Sequence, residues 1–304
     1  MERILTYKAK TEITVGRVLK TVFALSRHEI SRLKFQQGLF VNGRQAYVRD
    51  VLKTGDLLTV RFREQTDSPA LTLFMPEILY ADRDLVMVNK PAGIPVHPAH
   101  GHLTDSLGTA VQAWYAEQGE TVVIHAIGRL DREVSGLMVY ALNRPAAARL
   151  YAEKESGIFR KEYLAVCTGW PQQDEGCWEE ALLRTGRKTV ISAEGRPART
   201  DYRVLARGCL NGQPHALLGL CIQTGRTHQI RAQLAHIGHP ILGDPQYGDR
   251  AFNARFRRSY QALYAYRVVF SFETDAGPLE YLKGRSFQVR DVPFLREWFP
   301  GTPI

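Results

Sequence analysis

An α+β fold is predicted for this chain: a mixed, largely antiparallel sheet with flanking helices, preceded by a small basic α/β module. Three observations carry the prediction. Strand-like runs outnumber helical ones and lack the regular alternation of a doubly wound sheet. The polar, turn-prone stretch REQTDSPALTLFMP, Arg63 to Pro76, divides the chain. Ahead of it basic charge is concentrated: residues 1–64 hold 13 Lys or Arg against 6 Asp or Glu, a net +7 out of +9 for the whole chain.

In the N-terminal module, Val15, Val18, Leu19 and Val22 recur at helical spacing. Ser26 opens a second helix, with Glu29 three positions on as its capping-box partner. Ile30 and Leu33 give that helix an apolar side, and Gly38 stands where a helix end takes a left-handed residue. LFVNGRQAYV then gives two short strands joined by Asn42-Gly43, a pair that tolerates the positive φ of a tight hairpin. KTGD and LLTVRF add a turn and a further strand. Two helices followed by a small sheet are therefore expected over 1–63, a linker over 64–76 and the large domain over 77–304. Arg17, Lys20, Arg27, Arg32, Lys34 and Arg44 lie outside the apolar pattern. A solvated charged face accounts for them as readily as phosphate contact does.

The large domain opens with a strand candidate, Asp84 to Val88, ending at Asn89-Lys90-Pro91. GTAVQAWYAEQG reads as a helix with Val111, Trp114 and Tyr115 on its apolar stripe. Asn143 is the expected cap of RPAAARLYAEKESG, a helix with proline near its first turn and Gly157 near its end. IFRKEYLAVCTG, TDYRVLARG, HALLGLCIQ and ALYAYRVVFSF have strand composition, and the apolar VPFLREWFPGTPI is expected to dock on the core.

The length of 304 residues allows a core domain plus an appendage. The chain starts MERILTYKAKTEITVGR, charged from its second residue, and holds no apolar run of membrane-spanning length. A soluble cytoplasmic protein with no membrane partner is expected. Cys167, Cys177, Cys209 and Cys221 are widely spaced without a CxxC pair, and are expected to be reduced, partly buried small apolar residues. His97, His100 and His102 share a proline-glycine loop without metal-ligand spacing.

Two segments concentrate polar chemistry. HAIGRLDREVSGLMVYAL sets Asp131 between Arg129 and Arg132 just before an apolar run, and for these three charges alone a solvated salt-bridge cluster is the plain reading. In TGRTHQIRAQLAHIGHPILGDPQYG, Thr224 is the expected cap of a helix from Arg226 to Ile237, with Ile230, Leu234 and Ile237 as its buried stripe and Gly238 beyond it. Arg226 then sits in the first turn, where the helix dipole disfavours a cation unless an anion lies close. Asp131 or the phosphate of a ligand would supply one; a structural salt bridge stays open.

Taken in order, NKPAGIPVHP, GRLDREVSGL, RKEYLAV, TGRTHQIR and HPILGDPQYG resemble a bacterial pseudouridine synthase of the group that modifies large-subunit ribosomal RNA or, in some members, tRNA. SRHEISRLKFQQGLFVNG and TGDLL are similar to the small RNA-binding domain of a small-subunit ribosomal protein and of tyrosyl-tRNA synthetases. The resemblance implies structured RNA, above all 23S ribosomal RNA, as partner, with no obligate protein partner. It makes Asp131 the catalytic aspartate, Arg226 its ion-pair partner and Tyr163 the aromatic that stacks near the target base and assists proton removal. It places Arg129 beside the flipped nucleotide or its phosphate, Ile241 as an apolar wall, Lys161 as a further substrate neighbour and His228 as a hydrogen-bonding group behind them. Gly128 and Val134 depart from the group's pattern, where histidine and threonine are common.

The implied reaction moves the ribose bond of uracil from N1 to C5 without gain or loss of atoms, so no cofactor or metal is expected. It needs a carboxylate that attacks the anomeric carbon, abstracts a sugar proton or adds to C6 of the base; the sequence leaves these three open. An adjacent arginine favours the ionised form, and a short, stiff aspartate suits fixed placement. A tRNA substrate, an N-glycosidase that releases uracil, and a non-catalytic RNA-binding or ribosome-assembly protein are the alternatives to be separated.

Overall fold

The structure, a computed structural model, describes residues 2–23, 25, 27–63, 72, 74–98, 105–155, 159–210, 212–255, 260–272 and 276–304. The expected cap Ser26, Gly157, His100, His102 and most of the 64–76 linker lie outside the described residues, as does the side chain of Arg32.

The N-terminal module runs β1 (Glu2–Lys8), β2 (Ile13–Thr14), α1 (Val15–Thr21), α2 (Arg27–Phe35), β3 (Leu39–Val41), β4 (Arg44–Gln45), β5 (Val51–Leu52) and β6 (Leu57–Arg63). Four strands form one sheet in the order β1-β6-β3-β4, and β2 pairs with β5. The strand ahead of the helices is an addition to the predicted module; β1 exists because its seven residues pair antiparallel along all of β6. Thr14 caps α1 by accepting from the Arg17 N–H. Asn42 and Gly43 take φ of 48° and 79°, the hairpin geometry expected of them. Gly38 is corrected: the left-handed residue after α2 is Gln37, at φ 52°. Gly38 serves a different need, since a Cβ there would come within 2.3 Å of the Arg61 carbonyl oxygen that backs onto it. Val15, Val18, Leu19, Leu33, Leu52, Leu58 and Val60 form this module's core.

The second sheet is built from β7 (Glu77–Ala81), β8 (Leu85–Lys90), β9 (His125–Ala126), β10 (Ser135–Ala141), β11 (Phe159–Thr168), β12 (Glu175–Thr185), β13 (Lys188–Ile191), β14 (Arg196–Leu210), β15 (Gln213–Ile222), β16 (Leu263–Phe270) and β17 (Ser286–Gln288). Its order is β13-β12-β14-β15-β11-β16-β10-β8-β7, with β17 on β16 and β9 on β10. The β10–β16 pair is parallel and the remaining pairs are antiparallel, as the α+β expectation requires.

Both faces of the sheet centre are buried, because its strands carry continuous apolar runs, such as Leu85–Val88 in β8 and Leu137–Ala141 in β10, rather than alternating ones. Along β10, Leu137, Val139 and Ala141 face one core while Met138 and Tyr140 face the other. The first core is covered by α4 (Arg144–Glu155), a 3-10 turn (Gly277–Leu282) and a C-terminal helix (Pro293–Trp298); the second by α3 (Leu107–Glu117) and α5 (Gln229–His236). Asn143 caps α4 as expected, accepting from the Ala146 N–H at 2.9 Å. The C-terminal apolar patch does dock, burying Val292, Phe294, Leu295 and Phe299. Cys177 and Cys209 are exposed rather than partly buried; all four thiols are free.

At the parallel junction Gly136 pairs with Ala265 at φ 116°, and a Cβ on it would lie 2.3 Å from the Ala265 carbonyl oxygen. Only glycine lets the two backbones meet there. The junction fixes where β10 begins and so anchors the loop that carries Asp131.

Candidate active site

The Asp131 loop leaves β9, passes Gly128 at φ 79°, and enters β10 at Ser135. It is held from below by Lys90, a fully buried lysine whose Nζ donates to the carbonyls of Arg132 (2.8 Å), Ile94 (2.7 Å) and Pro91 (3.0 Å). Gly93 adds a second tie: its N–H donates to the Arg132 carbonyl, and Arg132 Nε donates back to the Gly93 carbonyl. The NKPAG stretch is thus the cradle of the loop, a role its turn-forming composition does not disclose.

The partner of Asp131 is Arg231, not Arg226. Arg231 Nη1 donates to Asp131 Oδ2 at 2.8 Å. The same guanidinium is gripped from behind by Asp244, with Nε on Oδ2 at 2.7 Å and Nη2 on Oδ1 at 3.0 Å. Asp131 keeps 27% of its side chain exposed, while Arg231 keeps 7% and Asp244 none. One cation shared by two carboxylates satisfies the desolvated pair and aims the third donor outward.

The correction for Arg226 follows from where α5 starts. Gln229 Oε1 accepts from the Arg226 N–H and from Thr224 Oγ1, which folds TGR over the amide ahead of the helix. His228 then takes a left-handed conformation, φ 55°, as the residue before α5. Thr224 therefore caps no helix, and Arg226 swings outward to donate to the Pro197 carbonyl. Arg231 is the residue in the first turn. The expectation that an early-turn arginine needs a nearby anion holds, transferred by five positions. Gln229 and Gln233 sew α5 to β12 and β14 through Thr200 and Glu180, and Ile230 and Leu234 pack into the core, so the helix is buried on several sides. Ile237, expected in that stripe, is exposed.

A cavity of about 490 Å³ opens above Asp131. It is lined by Arg129, Lys161, Tyr163, Arg226 and His228 among the expected residues, and by Leu130, Val134, Ile222, Ile230 and Leu263 as its apolar walls. Tyr163 reaches it from β11, where the register against β16 shifts between Glu162 and Tyr163, a bulge of the kind that re-aims a side chain. Burial, with the Asp131 charge nearby, pushes the Tyr163 phenol well above the ordinary tyrosine range. The neutral ring is suited to packing against a base and ill suited to taking up a proton. Arg129 lies exposed at the rim, with Nη2 3.5 Å from Thr227 Oγ1. Lys161 is buried, with Nζ 3.7 Å from Met138 Sδ.

Ile241 is the second correction. It is fully buried, does not line the cavity, and forms a backbone bridge with Cys167 at the far end of β11. The HPILGD segment is threaded into the sheet, so its useful side chain is Asp244. The sequence signal for Asp244 is present in GDPQYG: Oδ1 accepts from the Gln246 and Tyr247 N–H groups, the turn chemistry of an aspartate before proline. His228 lies beside the carboxylate, with Nε2 3.6 Å from Asp131 Oδ2.

Among the described residues no group of three or more His, Cys, Asp or Glu could hold a metal ion, and no helix is long and apolar enough to cross a membrane. The exposed residues Arg17, Lys20, Arg27, Lys34 and Arg44 lie in the N-terminal module, outside the cavity lining.

A family model described as RNA pseudouridylate synthase matches residues 84–236, which hold Asp131, Tyr163, Arg226 and Arg231. A Bacillus subtilis (strain 168) protein, "Uncharacterized RNA pseudouridine synthase YjbO", is 32% identical over 252 residues, covering 81% of this chain and 86% of its own length. "Ribosomal large subunit pseudouridine synthase D" of Escherichia coli (strain K12) is 31% identical over 230 residues, covering 74% and 69%. The solved structure of "Human RNA Pseudouridylate Synthase Domain Containing 1" superposes with a TM-score of 0.60 at 26% identity, covering 75% of this chain and 90% of that one.

Proposed function

The chain belongs to the RNA pseudouridylate synthase family, an isomerase family acting on uridine in RNA, and from that premise we propose that its substrate is a structured region of 23S ribosomal RNA and that Asp131 carries the reaction. One observation supports the residue assignment above the rest. Asp131 is the carboxylate that lines the cavity, and it keeps one oxygen without a hydrogen-bond partner among the described residues while the other is tied to Arg231. A carboxylate so placed is oriented by one oxygen and reactive at the other.

In this reading a uridine leaves its stack and enters the cavity, where Tyr163 and the apolar walls replace the lost stacking. Unstacking costs roughly a few kcal/mol, and the rim arginines Arg129 and Arg226 offset part of it by holding the flanking phosphates. Asp131 meets the ribose, the glycosidic bond to N1 breaks, the uracil turns within the closed site and rejoins through C5. The C5 proton then leaves to a base or to water. The N-terminal module, residues 1–63, is read as a separate RNA-binding domain that supplies affinity for phosphates and not choice of base. The ribosomal assignment draws on the named large-subunit enzyme among the relatives.

The test is genetic and chemical. The gene is deleted in its host, pseudouridines are mapped across ribosomal RNA and tRNA, and either wild type or Asp131→Asn is returned. Sites in 23S ribosomal RNA that reappear with wild type and stay absent with Asp131→Asn are expected. Sites confined to tRNA would overturn the ribosomal assignment, free uracil would indicate an N-glycosidase, and normal modification by Asp131→Asn would remove that residue from the chemistry.

A further inference from the structure

The proposed reaction gives roles to Asp131 and Arg231 but none to a second neighbour of the same carboxylate oxygen. His228 Nε2 lies 3.6 Å from Asp131 Oδ2, the atom that Arg231 already holds. On its other side His228 Nδ1 is 2.9 Å from the Tyr247 hydroxyl. That hydroxyl in turn accepts from the backbone N–H of Thr189, in edge strand β13, at 2.6 Å. A line of polar groups therefore runs from the β12–β13 hairpin through Tyr247 and His228 to Asp131.

Its proton directions follow from counting donors. A phenol has a single proton to give; the Thr189 N–H at 2.6 Å and the Thr189 hydroxyl beside it both act as donors that favour the phenolate, which leaves His228 Nδ1 at 2.9 Å as the acceptor. With Thr189 N–H already occupying an acceptor site, the Tyr247 proton points to Nδ1 and keeps that nitrogen bare. The imidazole proton is then on Nε2, directed at the Asp131 carboxylate. The opposite tautomer would turn the phenolic proton away from Nδ1 toward the Thr189 hydroxyl and aim a nitrogen lone pair at an anion. Burial holds His228 below the ordinary histidine range; Asp131 and Asp244 pull it up while Arg231 and Arg184 press it down, and the net direction favours the neutral ring. The ring is also sterically fixed: His228 sits at φ 55°, Tyr247 meets it edge-on at 88°, and the Arg231 guanidinium lies 5.0 Å from the Tyr247 ring centre.

We propose that His228, locked by Tyr247 as the Nε2–H tautomer, is a positioning residue that with Arg231 fixes Oδ2 of Asp131 and leaves Oδ1 as the atom that meets the ribose. This rests on the reading of Asp131 as the reacting carboxylate. The Arg231 hydrogen bond and the His228 N–H facing the same oxygen from 3.6 Å restrain the carboxylate from rotating to present either oxygen, and misplacement of a reacting atom by about 1 Å costs up to roughly a hundredfold in rate. The hairpin enters through the Thr189 N–H: the farthest strand of the sheet completes the geometry of the central site.

The tautomer is measured first, by long-range proton–nitrogen correlation NMR on the full-length protein with ¹⁵N-labelled histidine at about pH 7. A protonated Nε2 and a bare Nδ1 are expected for His228, and a mixed or inverted pattern in Tyr247→Phe. Single-turnover modification is then followed on total RNA from the host lacking the gene. Tyr247→Phe should slow the chemical step about tenfold while RNA affinity changes by less than about twofold. If Tyr247→Phe folds poorly, His228→Gln, which keeps an N–H donor near the Nε2 position, should recover rate relative to His228→Ala. An Nδ1–H or charged His228 in wild type, an unchanged rate in Tyr247→Phe, or equal rates in the Gln and Ala variants would each overturn the proposal. The NMR result does not depend on turnover. A wild-type chain with the expected tautomer that modifies no RNA would sink the functional reading alone.

Discussion

At position 231 a single guanidinium binds both Asp131 and the fully buried Asp244. Removing it strands a carboxylate that has no water to turn to, and abandoning a buried charge in this way costs about 3–5 kcal/mol. Arg226, by contrast, is exposed and holds one backbone carbonyl. Arg231→Met should therefore lower unfolding free energy by about 3–5 kcal/mol and abolish turnover. Arg226→Ala should change stability by less than about 0.5 kcal/mol and leave turnover measurable at saturating RNA. Urea unfolding of the two variants beside wild type checks the contrast; similar losses in both would mean that the ion pair has been assigned to the wrong arginine. Asp131, Tyr163 and His228, singled out in the sequence because each carries its own chemistry, come together in the lining of one cavity. The sequence misassigned the arginine because the two candidates, five residues apart, differ only in where α5 begins, and that is set by the Gln229 side chain folding TGR back over itself.

The same limit appears one level up, in how elements hold the Asp131 loop. Helices α1, α3 and α4 and strands β11, β14, β15 and β16 were legible from spacing, caps and composition, because those signals are local. β1 and the edge hairpin β12–β13 were not, since what makes them strands is a partner distant in sequence. Nor was the clamp by Lys90, whose three acceptors come from both sides of a 42-residue separation. An ammonium has three N–H donors for these three carbonyls, and the neutral amine has two. Burial pulls Lys90 down from 10.5 to about 7, against the opposing pull of Glu133 and Asp131. The sign of the linkage is definite. Between about 7 and 10.5 the unfolded chain binds the proton that the folded chain has released, so this group makes stability rise with pH across that window. The clamp itself changes the other way, losing a donor as pH passes 7. Turnover is expected to fall on the alkaline side of about pH 7 while the Lys90 contribution to stability grows. In Lys90→Met that alkaline limb should vanish, at a cost of about 1–3 kcal/mol for each stranded buried carbonyl, lessened by relief of charge burial. Rate–pH profiles with matched thermal melts decide it; an alkaline limb that persists in Lys90→Met would assign it to another group.

Over the whole molecule, chemistry and charge are separated. The cavity above Asp131 sits over the central sheet, while residues 1–64 carry +7 of the +9 net charge and build a core of their own. A uridine-specific isomerase needs its cavity to tell bases apart, but most of the affinity for folded RNA comes from phosphates, which any base sequence supplies. The division predicts that the two properties respond separately. Neutralising Arg17, Lys20, Lys34 and Arg44 to glutamine in the full-length chain removes four exposed cations without touching the module's apolar core. Each phosphate that thereby goes unneutralised should flatten the dependence of log affinity on log salt concentration by roughly 0.7–0.9, the range spanned by single strands and B-form duplexes. RNA binding should then weaken most at low salt, where released counterions contribute most, and the wild-type and variant curves should converge as salt rises. The rate at saturating RNA should stay near wild type, because no substituted residue lines the cavity. Binding titrations across a salt series, paired with single-turnover rates, separate the outcomes. An unchanged salt slope would leave the basic residues as a solvated face, and a lost rate with an unchanged slope would place the module in the chemistry instead of the docking.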